Sequence, residues 1–433
     1  MKKILITLIA ALMILVGCGQ KPAESEVLKV SGIETGYGKD AWNDVIAAFT
    51  EETGIEVEFE MEKNIHETLR SQLTSGTDVP DVVYLSLNSE GKLPDTLVAE
   101  KGMLDISDLL NMNVLGEETK VKDKVTSGFL NTLTTDPYGD GKTYLAPVFY
   151  SPTGIFYNIN LFEDKGWDLP TTWDEMWALG ETAKAEGISL FTYPTSGYLD
   201  GFMAALLTSI VGQEDYYKLM NFDLATWEKP VVKEAYEILD KLASYVSPDT
   251  VSQANGQDFK KNQGAIIEGK ALFMPNGTWV VNEMKDEQWP GVEDMNWGLM
   301  ALPAVKAGGD RYATTFTEQV WVPKDATNVD NAKKFISFLY SDVATKIFYE
   351  GGGIIQPVDG ATDLITEEDP NRVYYDIFTN GALSSTAGFA ARDKVEGVEI
   401  ADVFYETINE VATGAKTGAD WYADMIEVVK AYQ

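Results

Sequence analysis

Leu28-Lys29-Val30-Ser31-Gly32-Ile33, then Trp42, Val45, Ile46 and Phe49, then Ile55-Glu56-Val57-Glu58-Phe59-Glu60-Met61, then Asp81-Val82-Val83-Tyr84-Leu85: the order of these segments decides the fold. The first is a short apolar run closed by the glycine-punctuated turn Glu34-Thr35-Gly36-Tyr37-Gly38, and it reads as a strand. The next four residues stand at i, i+3, i+4 and i+7, the stripe of an amphipathic helix, and Gly54 is placed to end it. Apolar and acidic residues alternate from Ile55 to Met61, which predicts a strand with one face buried. The unbroken apolar block at 82–85 predicts a strand buried on both faces. Strands alternating with helices make an α/β domain with a mostly parallel sheet. Ligands of such sheets sit beyond the carboxyl ends of the strands. The loops holding Tyr37 and Asn88, the second running from Ser86 to Gly91, are therefore candidate binding loops.

Toward the N-terminus, Lys2 and Lys3 precede an apolar run from Ile4 to Val16 relieved only by Thr7. That is the form of a secretory signal, and it is too short for a comfortable membrane span. It closes on Leu15-Val16-Gly17-Cys18, which resembles the lipobox of bacterial lipoproteins. The resemblance implies removal of residues 1–17, diacylglycerol on Cys18, and residence on the extracytoplasmic face of the membrane. Cys18 is the only cysteine, so no intrachain disulfide is available and stability must come from an apolar core. Residues 18–26, small, polar and interrupted by Pro22, suit a tether between anchor and fold.

A chain of 433 residues exceeds one typical core of about 100–150 residues, so two lobes are expected. Its 45% hydrophobic and 11% aromatic content excludes a disordered chain. Acidic residues outnumber lysine and arginine by 68 to 34, and a net charge of −34 repels nucleic acid and anionic headgroups. The charge is dispersed, as suits a soluble monomer on a cell exterior.

Further along, Asp140-Gly141 signals a hairpin turn. The aromatic segment Thr143 to Asn158 reads as a crossing between lobes, with Pro147 and Pro152 expected to prevent one continuous central strand. Thr172-Trp173-Asp174-Glu175 has the form of a capping box opening a helix that ends near Gly187. Helices are also expected at 231–245, 331–340, 400–413 and 419–431.

The segment Glu268-Gly269-Lys270-Ala271-Leu272-Phe273-Met274-Pro275-Asn276-Gly277-Thr278-Trp279 resembles the strand of the carbohydrate-binding extracellular solute-binding proteins, the family that includes the maltose-binding protein. Phe156-Tyr157-Asn158 with Leu161-Phe162, the run Leu169 to Glu175, and Glu318 to Lys324 followed by the helix at 331–340 resemble further family segments in the same order. The resemblance implies a two-lobed, type II periplasmic-binding-protein-like α/β fold. Its N-terminal lobe is expected at 27–145 and 303–345 and its C-terminal lobe at 146–302 and 346–433. The ligand, a carbohydrate and by expectation an oligosaccharide, would be enclosed between lobes that close about a hinge, then passed to the permease of an ABC importer.

Trp279 matches the family's stacking tryptophan. The C–H face of a pyranose is flat and apolar, so an indole can cover it while polar neighbours meet the hydroxyls. Tyr198 lies where the family places a second stacking aromatic, and Tyr150 sits in the crossing. Asp200, Asn276, Glu318 and Arg392 are candidate partners for hydroxyls. Asn88 and Ser151 stand where the family often holds a carboxylate, so maltose itself is not the expected sugar. Trp42, Trp173 and Trp177 sit on helical stripes and read as packing residues.

His66 is the lone histidine and lies in a charged helical stretch, so neither a histidine-based metal site nor a triad is expected, and no cofactor. Gly351-Gly352-Gly353 lacks the lysine of a phosphate loop and reads as a helix stop. The competing functions are a secreted glycoside hydrolase, the same fold carrying a peptide, polyamine or metal chelate, and a non-transport receptor or adhesin.

Overall fold

The computed structural model describes residues 27–433 except 36–37, 88, 90–91, 370 and 393–394. The signal, Cys18 and the tether therefore lie outside the described residues, as do Tyr37 and Asn88.

The N-terminal reading holds. Strand β1 (Val27–Ile33) leads into helix α1 (Asp40–Thr53), β2 (Glu56–Glu62), α2 (Ile65–Ser75) and β3 (Val82–Tyr84). Both β2 and β3 pair parallel to β1. Trp42, Val45 and Phe49 are buried on the predicted stripe, and Gly54 ends α1 with φ 71°. The Trp42 indole packs against Tyr84 and Phe348 with centroids 4.8 and 5.2 Å apart. Its loss should cost about 3–5 kcal/mol, which makes it core rather than site.

The crossing differs from expectation. β4 (Leu145–Asn158) is one continuous strand of 14 residues. Pro147 is accommodated by a register shift between Pro147 and Phe149. Pro152 stands in the last pairing with β8, opposite Thr315, and Thr153 is the first residue to pair with β6. Each proline thus falls at a bulge or a change of partner, where a ladder hydrogen bond is dispensable.

Beyond β4, α3 (Trp173–Ala185) starts with the predicted capping box of Thr172 and Glu175. Then come β5 (Ser189–Phe191), α4 (Leu199–Val211), α5 (Val232–Ala243), β6 (Ala271–Gly277), α6 (Val280–Asp286), β7 (Trp297–Met300) and β8 (Tyr312–Trp321). The sheet order is β2-β1-β3-β8-β4-β6-β5, with β7 also on β4 and β9 (Leu383–Ser385) on β8. β8 runs antiparallel to both β3 and β4. It begins six residues before the Glu318 expected as its start.

β4 and β8 are therefore shared by the two lobes. The first half of β4 and the second half of β8 complete the sheet of β1–β3. The second half of β4 carries β6 and β7. A core in the second lobe forms around α4, whose residues Phe202 to Thr208 are all buried. The lobe boundary expected at 345/346 falls inside helix α7 (Asp342–Gly352), which follows the helix Val329–Leu339. A Cβ on Gly351 would lie 3.0 Å from Ala41, so α7 packs against α1. Gly353, with φ 61°, ends α7 as expected.

Candidate ligand-binding cleft

Directly opposed residues of an antiparallel ladder share a face, and residues two apart on a strand share it too. Phe316 opposes Ser151, and Thr153 opposes Gly277 of β6. Thr314, Phe316 and Glu318 on β8, Ser151 and Thr153 on β4, and Gly277 on β6 thus lie on one continuous face. Along β4 only Ser151, Thr153 and Gly154 are open to solvent, while the other residues of the strand are buried. An opening in the middle of a central strand, where the two lobes meet, is the floor of a cleft.

On this floor stands the start of α4. A Cβ on Gly201 would lie 3.1 Å from the Thr153 hydroxyl, and the Thr314 hydroxyl donates to the Gly201 carbonyl. Tyr198 and Asp200 are carried by the same turn of chain. Tyr198 faces Trp279, their ring centroids 6.4 Å apart and the planes inclined by 56°. The Trp279 indole lies directly over Gly277: a Cβ there would come within 2.1 Å of two ring carbons, so only glycine permits this seat. Trp279 is 41% exposed, as befits a cleft ring and not a core one.

Two carboxyls flank the floor. The Tyr84 phenol, at the end of β3, donates to Glu318. Desolvation in this partly buried position raises the Glu318 pKa to about 7. Asp200 keeps contact with water, yet surrounding protein raises its pKa to about 6 against the opposing effect of the Gly201 N–H. Accessible but crowded is the condition of a group on a cleft wall. No basic side chain contributes to either shift.

The structure brings together Trp279, Tyr198 and Asp200, with Glu318 at the far end of the same floor. Three expected residues do not join them. Tyr150 is buried against Phe129, Tyr375 and Phe378, because its neighbour Ser151 takes the open face and the pleat turns Tyr150 to the other. Asn276 alternates away from Gly277 in the same manner, and it is buried with its amide nitrogen 3.8 Å from the Met274 sulfur. Arg392 donates to the carbonyls of Tyr138 and Asn221, both at 3.2 Å, and lies over the Phe222 ring, so it fastens chain segments together. Sequence reasoning missed Phe316, 48% exposed, and Gly277 as the seat of the indole. The spacing of Phe316 and Glu318 by two would have put both on one face had the strand been started early enough.

The description bacterial extracellular solute-binding protein fits residues 44–372 as a family. Among curated relatives, the diacetylchitobiose binding protein NgcE of Streptomyces coelicolor is 26% identical over 342 residues, covering 75% of this chain and 68% of the relative. The maltooligosaccharide ABC transporter solute-binding lipoprotein of Streptococcus pneumoniae is 25% identical over 370 residues, covering 79% and 77%. Among solved structures, the bacterial solute receptor AcbH, described as preferring β-D-galactopyranose, matches with a TM-score of 0.67 at 19% identity over 94% of this chain and 98% of that one. The sugar-binding protein MalE of Xanthomonas citri matches with a TM-score of 0.66 at 16% identity, over 94% and 97%. At these identities the structural likeness speaks for the fold, a type II arrangement of the maltose-binding-protein-like kind. By its sheet order, its cleft and the family match over most of its length, the chain belongs to the bacterial extracellular solute-binding proteins.

Proposed function

We propose that this protein is the capture subunit of an ABC importer, anchored by lipid at Cys18 on the extracytoplasmic face of the membrane. It takes a carbohydrate into the cleft by hinge closure and delivers it to the permease. The observation that carries the reading is the exposed Trp279 indole, seated on Gly277 and facing Tyr198. A sugar presents a flat C–H face to such a ring and hydroxyls to its surroundings. Carboxyls with pKa values of about 6 and about 7 donate when protonated and accept when ionised, which matches hydroxyls that do both. The sugar ligands in the names of the relatives support the same class. The Leu15 to Cys18 motif supports the anchor. The lobes in this reading are 27–145 with 303 to the end of α7, and 146–302 with the remainder, and β4 and β8 cross from one to the other.

One observation favours a second reading, a polyamine: Asp200 and Glu318 have no basic group holding them down. Burial raises the Glu318 pKa, however, which favours its neutral form and weakens a site built for cations, so the sugar is the better reading. A thermal-shift panel of mono- and oligosaccharides with spermidine decides between them. A ligand at 100 times its Kd stabilises by about 2.7 kcal/mol, a shift of degrees. Stabilisation by spermidine alone would overturn the carbohydrate reading, and turnover of a saccharide would replace it by a hydrolase. Trp279→Ala should weaken the best sugar ten- to a hundred-fold, about 1–3 kcal/mol, with the melt retained. Intact affinity with a collapsed melt would remove Trp279 from the site.

A further inference from the structure

Phe316 is an aromatic ring half in water in the middle of a sheet, between buried neighbours Thr315 and Thr317. Its place can be fixed from both sides. Two residues before it, Thr314 touches Gly201 of the second lobe, and two residues after it, Glu318 accepts from Tyr84 of the first. Phe316 therefore faces the gap between the lobes, on the face that also carries Gly277 and the indole above it. Gly277 lies two strands away and offset by two residues. Strand spacing of about 4.8 Å and a rise of about 3.3 Å per residue separate the two Cα atoms by about 12 Å. The floor between them holds the short side chains of Ser151 and Thr153, and Gly201 at the start of α4 stands on Thr153.

We propose that Phe316 is a second stacking platform, so that the cleft selects a ligand of at least two linked sugar rings: one on Trp279, the next over Ser151 against Phe316. This rests on the carbohydrate reading and goes beyond it by setting a minimum length. Two linked rings span this separation and gain contact with each platform, which a single ring resting on one of them does not. Glu318, on the same side of β8 as Phe316, is placed to meet hydroxyls of the second ring.

The test is calorimetry of the wild type, Phe316→Ala, Phe316→Trp and Trp279→Ala with two matched series: glucose, maltose and maltotriose, and N-acetylglucosamine with its β-1,4-linked dimer. In the series that binds, the oligosaccharide should bind the wild type at least tenfold more tightly than its monosaccharide. Phe316→Ala should shrink that advantage to less than threefold, and Phe316→Trp should retain it. Phe316→Ala is expected to fold, because the ring is half exposed, and a melt run alongside checks this. If Trp279→Ala weakens the oligosaccharide and Phe316→Ala does not, Phe316 is no platform and the carbohydrate reading stands without it. If no saccharide of either series binds the wild type but spermidine does, the carbohydrate reading and this inference fall together.

Discussion

Glu318→Gln should remove a pH dependence that the wild type carries. The Glu318 carboxyl is raised from 4.5 to about 7 by desolvation, so the folded state holds its proton where the unfolded chain has released it. The sign follows: the contribution is fully present below about pH 4.5 and is lost as pH rises through about 7. Linkage with these two values weakens the fold by about 2–3 kcal/mol between about pH 5 and pH 8. Water in the cleft screens the charge on one side, so about 1–2 kcal/mol is the working expectation. Glutamine keeps an oxygen to accept from Tyr84 but has no proton to lose, and its stability should be flat across the same window apart from contributions shared with the wild type. Urea unfolding of both proteins at about pH 5, 6, 7 and 8 measures the difference. Two parallel curves would refute the reasoning, because they would mean that Glu318 is ionised in the fold throughout. A gap that opens only below pH 5 would refute it equally, since that is the signature of a lowered carboxyl.

Gly277→Ala puts a Cβ within 2.1 Å of the Trp279 ring, so the indole must leave its seat. Affinity for the best sugar should fall by at least tenfold, which titration calorimetry reads. In solution scattering, adding that sugar should lower the radius of gyration without a change in mass, and a bound ligand with no compaction would contradict hinge closure. Cys18→Ser should release the protein from the membrane fraction or leave it unprocessed, measured by fractionation of expressing cells, and normal retention would end the lipoprotein reading.

The fold was legible where one face of an element is buried and the other is wet. The Trp42 stripe, the alternation along β2 and the capping box at Thr172 each carry their own periodicity. α4 was missed because it is buried nearly all round. The run Phe202 to Thr208 has no polar side to create a period, yet this helix carries Asp200 and Gly201 into the site. β4 was misread because its prolines look prohibitive until the bulge and the change of partner are known. The same limit applied to the site. Motif and chemistry could single out Trp279, but which of Tyr150 and Ser151 faces the cleft depends on register with β8, and a shift of one residue exchanges them. Phe316 shows the converse: its identity as a cleft residue comes wholly from what stands on either side of it in space.

The shared strand β4 has a kinematic consequence. Its two halves hydrogen-bond in different lobes, so in the proposed closure the lobes would turn about the stretch near Ser151 and Thr153, and a pivot scarcely travels while the parts far from it sweep. In the proposed closing motion the floor therefore looks nearly the same to an arriving solute before and after the jaws shut. Recognition would then divide in time: the stationary floor, with Phe316 and the two small hydroxyls, inspects the solute on arrival, and the sweeping walls set how long it stays. Substitutions at the floor would be felt first in the rate of capture, and substitutions on the outer walls in the rate of escape.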